Sequence, residues 1–379
     1  MTIDPFPSAA PPLVFHTNEE QLTGGMAQLV DLPDFMIQCA GLVDLTGAPA
    51  MPPYAGFNDN EMIFPGSLQK IVAMYAAFEL RSRVRQHVAE AIGGGLSTST
   101  PGWEATVIAD LEAAWKPILD STFPQFPSQF PQLTRIFSFS PDGDVDFSAA
   151  PLSEATIDAI GEEGAPAGSY HDWMRLMMRW SNNAAASRCI RALGYSYING
   201  VLLGAQFIDS ELQNGLWMSG DYLGNDWIPN PPGQPQANAA GRALSPRWEI
   251  AQGRHLSNFT ATAAQLATLM TLLATDGLVD APASQEMREL MSAVSGGIGS
   301  YVAEALSRDG RDFTSIISKI GFGDDTRSHD CAIVERTVGD TPIRYVVVGL
   351  GSRPFKPSRR RELDDLFIQL DQLIVARNT

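Results

Sequence analysis

Lysine is scarce in this chain. Of its 379 residues only Lys70, Lys116, Lys319 and Lys356 are lysines, and arginine supplies the rest of the 26 basic side chains. Against 43 acidic residues this leaves a formal charge of -17. Such a surface argues against nucleic acid or an anionic membrane as a partner, because displacing counterions from phosphates takes a basic face. Neutral or cationic small molecules suit it better. Cysteine is rare too: Cys39, Cys189 and Cys331 lie far apart with no C-x-x-C pair. Neither a zinc knuckle nor a disulfide framework is therefore expected, and the three read as buried thiols. The five histidines show no H-x-x-x-H or H-E-x-x-H spacing, so no metal or other cofactor is expected. No apolar run approaches the roughly 20 residues that span a bilayer. The N-terminus carries Asp4 and several prolines where a secretory leader would carry positive charge. As written the chain reads as cytoplasmic, and as periplasmic or secreted if a leader has been removed.

What is present is an ordinary globular composition, 44% hydrophobic and 9% aromatic, long enough for two domains or for one large domain with an insertion. Near the N-terminus "DFMIQCAGLVDLTGAP" reads as a strand entering a turn at Thr46-Gly47. A break at Pro65-Gly66 precedes a buried helix with Ile71, Met74, Tyr75 and Phe78 at helical spacing. From about 93 to 168 proline, serine and phenylalanine accumulate and no long periodic segment stands out, which reads as an irregular insertion packed by its own aromatics. Two helical pieces meet at Ser181, and Gly194 ends the second. Residues 215–253 are again loop-rich, and "TATAAQLATLMTLLATDG" is a helix. The last third holds three apolar strands, the final two joined at Gly339-Asp340. A terminal helix follows, with Leu363, Leu366, Phe367, Leu370, Leu373 and Ile374 on one face. The pattern predicts an α+β fold: an antiparallel sheet built from both ends of the chain with flanking helices, and an inserted, mainly helical domain. Residues 1–30 are expected to be an extension, 31–66 and 255–379 the sheet domain, and 67–254 the helical domain.

Two of the four lysines stand in unusual company. Lys70 alone has a serine, Ser67, three residues before it, and Lys319 alone has a glycine, Gly321, two residues after it. In a helix, positions three apart share a face, so Ser67 and Lys70 can meet at a helix start. A serine hydroxyl is a weak nucleophile until a base takes its proton, and a lysine amine is such a base only where its pKa is lowered. Unpaired N–H groups at the helix start would stabilise an oxyanion there. The plain alternative for Ser67 is a helix N-cap. The third element is Ser181-Asn182-Asn183, the one S-x-N in the chain.

The ordered set S-x-x-K, S-x-N and K-x-G resembles the serine β-lactamase and penicillin-binding protein superfamily, whose motifs are S-x-x-K, S-D-N and K-T-G. The look is most like class A β-lactamases, over roughly residues 30–90, 170–215 and 255–379. The resemblance implies that Ser67 is an acylating nucleophile, with Lys70 as its base or proton relay. Ser181 would pass a proton to the leaving atom. Asn183 would bind a substrate amide, and Lys319 a substrate carboxylate while keeping the site positive. Gly321 and Phe322 would complete the substrate-binding strand, and the oxyanion hole would be the backbone N–H groups of Ser67 and Phe322. Taken singly, Ser181 reads equally as a cap, Asn183 as a turn amide and Lys319 as a surface strand residue.

Three departures bear on function. Ile320 stands where a hydroxyl residue would help hold a carboxylate. Asn182 replaces the usual aspartate. The glutamate that activates the deacylating water in class A enzymes has its nearest match in Glu211, followed by Asn214, with altered spacing; the alternative is a solvated loop carboxylate. Ser67 and Ser181 are 114 residues apart, more than a compact member needs, so the aromatic stretch from Phe123 to Phe147 is expected to reshape the rim of the site. The implied activity is a serine hydrolase acting through a covalent acyl-enzyme on a small-molecule lactam, amide or ester, with β-lactam hydrolysis first. A D,D-peptidase, a cytoplasmic esterase or amidase, and a non-catalytic binding protein of the same fold are the other readings.

Overall fold

The computed structural model describes residues 4–7, 13–30, 37–124, 126, 129–149, 151–209, 214–223, 250–251, 254–255, 259–292, 299–322, 328–352 and 360–379. The chain divides into two compact units. One, the helical unit, comprises Met1–Ala10, Lys70–Gln213 and Trp217–Phe259; the other, the sheet unit, comprises Pro11–Gln69, Asn214–Leu216 and Thr260–Thr379. In chain order the main elements are α1 (Glu20–Val30), β1 (Cys39–Asp44), β2 (Tyr54–Phe57), a 3₁₀ turn at Gly66–Leu68 and α2 (Gln69–Gly93). Then come α3 (Trp103–Thr122), α4 (Leu133–Ile136), a hairpin of β3 (Phe137–Phe139) and β4 (Val145–Phe147), α5 (Glu154–Ile160), α6 (Tyr170–Arg179), α7 (Asn183–Leu193) and α8 (Tyr195–Gly204). The sequence closes with α9 (Ala263–Ala274), α10 (Ala281–Met291), α11 (Tyr301–Arg308), β5 (Ser315–Phe322), β6 (Ser328–Val338), β7 (Thr341–Ser352) and α12 (Arg360–Asn378).

The sheet unit is built on one antiparallel sheet of order β5-β6-β7-β1-β2. The strand from the N-terminal part pairs directly with the C-terminal hairpin, Cys39 opposite Leu350 and Asp44 opposite Tyr345. The sequence pattern called for this sheet, and its cause is visible in β1, whose six residues are all buried. A strand covered on both faces needs a partner along each edge, and β7 and β2 supply them. The β6–β7 turn is two residues long and opens on Gly339 at φ +59°, the left-handed backbone that such hairpins require of their first loop residue. On one sheet face Leu22 and Met26 of α1 and Leu366, Phe367, Leu370 and Ile374 of α12 pack against Leu42, Tyr345 and Val347. On the other, Gly41 lets α9 approach, with Ala267 Cβ 3.4 Å from where a side chain would begin. The fully buried carboxylate of Asp371 is matched by Arg311 at 2.5 Å, Arg336 at 2.9 Å and the Tyr345 hydroxyl at 3.0 Å.

Residues 1–30 hold more than an extension, since α1 is a regular helix of the sheet unit. Its Gly24-Gly25 pair masks the helical pattern, yet Gly25 is where Leu373 of α12 comes closest. The stretch from 93 to 168, expected to be irregular, contains the 20-residue α3. Its buried residues Trp103, Val107, Leu111, Trp115 and Leu119 fall once per turn, a stripe too narrow to stand out among prolines and polar residues. The aromatics do pack within this unit: Trp115 stacks near Tyr197 (6.4 Å), and Phe123 and Phe126 flank Trp217 (6.2 and 5.8 Å). The two helical pieces around Ser181 and the terminal helix lie where the pattern put them, with the Leu363 side chain outside the described residues. Cys39, Cys189 and Cys331 are buried thiols. Among the described residues no helix is long and apolar enough to cross a membrane.

Candidate active site

The boundary between the units falls between Gln69 and Lys70, so each set of site residues is described within its own unit. In the helical unit, Lys70 lies in the first turn of α2 and its side chain is wholly buried. A buried amino group needs hydrogen-bond partners. Nζ donates to Ser181 Oγ at 2.9 Å, to Asn183 Oδ1 at 2.7 Å and to the Ser181 carbonyl. The Tyr222 ring adds a cation–π face, 4.4 Å from Nζ to the centroid.

Local backbone explains why Ser181 offers two oxygens. It sits at φ +53°, between the end of α6 and the start of α7, a conformation that costs a non-glycine residue of order 1–3 kcal/mol. It is not the helix cap. That role belongs to Asn182, whose Oδ1 accepts from Ala185 N at 2.8 Å. Asn182 Nδ2 also donates to the carbonyls of Gly161 (3.0 Å) and Gly164 (2.9 Å). A carboxylate has no N–H to give those two oxygens, which is the physical reason for asparagine rather than aspartate at this position. Tyr222 is set by its own amide, which donates to Ser187 Oγ at 3.1 Å, by stacking on Phe259 at 4.9 Å, and by the Arg191–Asp221 pair beside it at 2.6 Å. Burial pushes its phenol above the usual range, so the ring facing Lys70 is neutral.

In the sheet unit the construction is one of backbones. Ser67 is half-buried and lies inside the 3₁₀ turn ahead of α2, whose N-cap position is Pro65. The turn lies against the end of the edge strand β5. Gly66, at φ +55°, is so close that a Cβ would stand 2.1 Å from the Phe322 carbonyl oxygen. A Cβ on Gly321 would stand 2.5 Å from the Pro65 oxygen and 3.1 Å from the amide nitrogens of Ser67 and Leu68. Only glycine at both positions permits the approach, which brings the backbone of Phe322 beside the turn that carries Ser67.

Along β5 every residue from Ile316 to Gly321 is buried. Lys319 is 3% exposed and donates to the Ile320 carbonyl at 3.2 Å, so it is a buried residue rather than a surface one. Ile320 is 6% exposed and belongs to the apolar cluster that includes Tyr301, Val302 and Ala332. Opposite Ile320 in register stands Asp330, fully buried. It accepts from Ser318 Oγ (2.9 Å), Ser300 Oγ (2.9 Å) and Val302 N (3.1 Å), tying α11 to β5 through β6. Burial pushes its carboxyl up to about 6, against the downward pull of those donors. Phe322, at the end of the strand, is 49% exposed and meets Tyr301 edge-on, with ring centroids 6.3 Å apart.

Lys70, Ser181 and Asn183 thus converge in the helical unit, while Ser67, Gly321 and Phe322 adjoin in the sheet unit with Lys319 on the same strand. Glu211 lies outside the described residues. Asn214, its sequence companion, is described and donates to the Asn60 carbonyl at 3.2 Å. Sequence reading missed Tyr222, which sits in a loop-rich stretch without periodicity. It also missed Asp330, although a lone acid in the buried run "SHDCAIV" is a readable signal.

Residues 163–365 match the model of a family described as the β-lactamase enzyme family. That span is more than half of the chain, and the chain belongs to this family. It contains Ser181, Asn183, Lys319, Gly321 and Phe322; Ser67 and Lys70 precede it. Solved structures similar to the chain include PBP-A at 14% identity and TM-score 0.48, covering 96% of this chain and 98% of that one. An ancestral class A β-lactamase matches at 18% identity and TM-score 0.48, covering 94% and 99%. A class A β-lactamase from Mycobacterium abscessus matches at 14% and TM-score 0.45, covering 93% and 98%. A search of curated proteins finds no significant match.

Proposed function

We propose that the protein is a serine hydrolase that attacks a lactam, amide or ester carbonyl and passes through an ester on Ser67. Family membership supports the reaction class. The observation that carries the proposal is the held amine of Lys70, 2.9 Å from a hydroxyl and 2.7 Å from a side-chain amide oxygen, three residues beyond a serine in the turn that precedes its helix.

In this reading Lys70 acts as the neutral amine: Ser67 Oγ adds to the carbonyl carbon and gives its proton to the Lys70 Nζ lone pair. The carbonyl oxygen becomes an oxyanion, and the backbone N–H groups of Ser67 and Phe322 are its donors. Ser181 relays a proton from Lys70 to the leaving nitrogen or oxygen, the bond to the leaving group breaks, and the acyl group stays on Ser67. Water then cleaves the ester, with Glu211 the proposed base. Asn183 takes two duties, since its Oδ1 serves Lys70 and its Nδ2 is the donor for a substrate carbonyl.

Intact-mass measurement after incubation with benzylpenicillin, a cephalosporin and a fluorophosphonate tests this, with Ser67→Ala as control. The expected result is an adduct on Ser67 from at least the fluorophosphonate, absent in the variant. No adduct from any of the three overturns the assignment.

A further inference from the structure

Among the described residues Phe322 is the most exposed of the phenylalanines, tyrosines and tryptophans, at 49%. A single exposed ring is unremarkable on a protein surface, but this one extends from the residue whose backbone abuts Gly66, one position before Ser67. Tyr301 meets it edge-on, with ring centroids 6.3 Å apart. An acyl group delivered to Ser67 that reaches that ring gains by covering it.

The same strand offers little to an anion. Ile320 has no hydroxyl and packs into the apolar cluster, and the Lys319 ammonium is 3% exposed and engaged with its own strand's carbonyl. The chain's formal charge of -17 opposes the approach of a carboxylate. We propose that the substrate is a neutral ester or amide with an apolar acyl chain, that the Phe322 side chain reads that chain, and that carboxylate-bearing lactams are poor substrates. This rests on the acyl-enzyme reading above.

The test uses p-nitrophenyl acetate, butyrate and hexanoate, with benzylpenicillin as the anionic competitor and the fluorophosphonate adduct on Ser67 as a separate readout. With the wild-type chain, kcat/KM should rise at least about tenfold from acetate to hexanoate, the scale that added methylenes reach in an apolar pocket. Phe322→Ala should cut that rise to about twofold, and Phe322→Leu, which keeps an apolar side chain, should retain most of it. Thermal unfolding of both variants checks that the fold is kept. An adduct on Ser67 with a flat chain-length series, with benzylpenicillin the best substrate, or with a rise that Phe322→Ala leaves intact overturns the inference while the hydrolase reading stands. Absence of the adduct removes both.

Discussion

The site residues of the helical unit and those of the sheet unit are made in different ways. Around Lys70 everything is side chain: an amino group, a hydroxyl, an amide and an aromatic ring, with one carbonyl turned inward by a strained residue. Around Ser67 almost everything is backbone, and the residues that matter most, Gly66 and Gly321, contribute by having no side chain. A group of side chains loses function when one atom is removed and keeps its frame. A contact between backbones fails when one atom is added, and the frame fails with it.

The largest effect expected from that contrast is on chemistry. Lys70→Ala should lower acylation of Ser67 by at least about a thousandfold, equivalent to about 4 kcal/mol in the barrier, while circular dichroism stays native. Acylation at the wild-type rate would remove Lys70 from the mechanism. Next is Gly66→Ala, which should cost about 3 kcal/mol or more in unfolding free energy. A left-handed backbone and a 2.1 Å approach to a carbonyl both oppose the new methyl. Denaturant titration decides this, and a variant as stable as wild type would mean that the turn and β5 do not meet as described.

A third effect, comparable to or smaller than that of Gly66→Ala, sharpens the comparison because it is a side chain acting inside the backbone-built unit. The Asp330 carboxyl is raised to about 6 in the folded protein from an ordinary value near 3.8. The folded chain therefore holds that proton more tightly than the unfolded one. Its contribution to stability is fully present below about pH 3.8 and is lost as pH rises through about 6, a swing of about 3 kcal/mol at 1.36 kcal/mol per unit. Unfolding titrations between pH 4 and 8 should show this slope in wild type and a shallower one in Asp330→Asn. Equal slopes would assign the pH dependence elsewhere.

The contrast also accounts for what could be read from letters. Ser67, Lys70, Ser181, Asn183 and Lys319 could be singled out as candidates because the chemistry proposed for them is in their side chains and their order is fixed along the chain. The sheet was legible for a similar reason, since period-two apolar runs at both ends have few ways to pair. The approach of Gly66 to Gly321 was not, because a glycine in a sequence does not say which distant strand it admits. Nor was Asp330, whose donors come from Ser300 on α11 and Ser318 on β5. Helix α3 hid behind a stripe one residue wide. Ser67 and Ser181 were each readable as caps, and only backbone geometry shows that Asn182 takes the cap at α7 and that no side chain takes it at the 3₁₀ turn.

The pairing of Cys39 with Leu350 has a consequence for how the chain is made. At roughly 5–20 residues per second of synthesis, β1 leaves the ribosome some tens of seconds before its partner β7 exists. During that interval a strand that the finished fold buries completely has no neighbour on that edge, while the helical segments that follow it have already emerged and are free to fold on local contacts. Until β7 emerges, that edge of β1 is an unpaired template open to pairing with other strands.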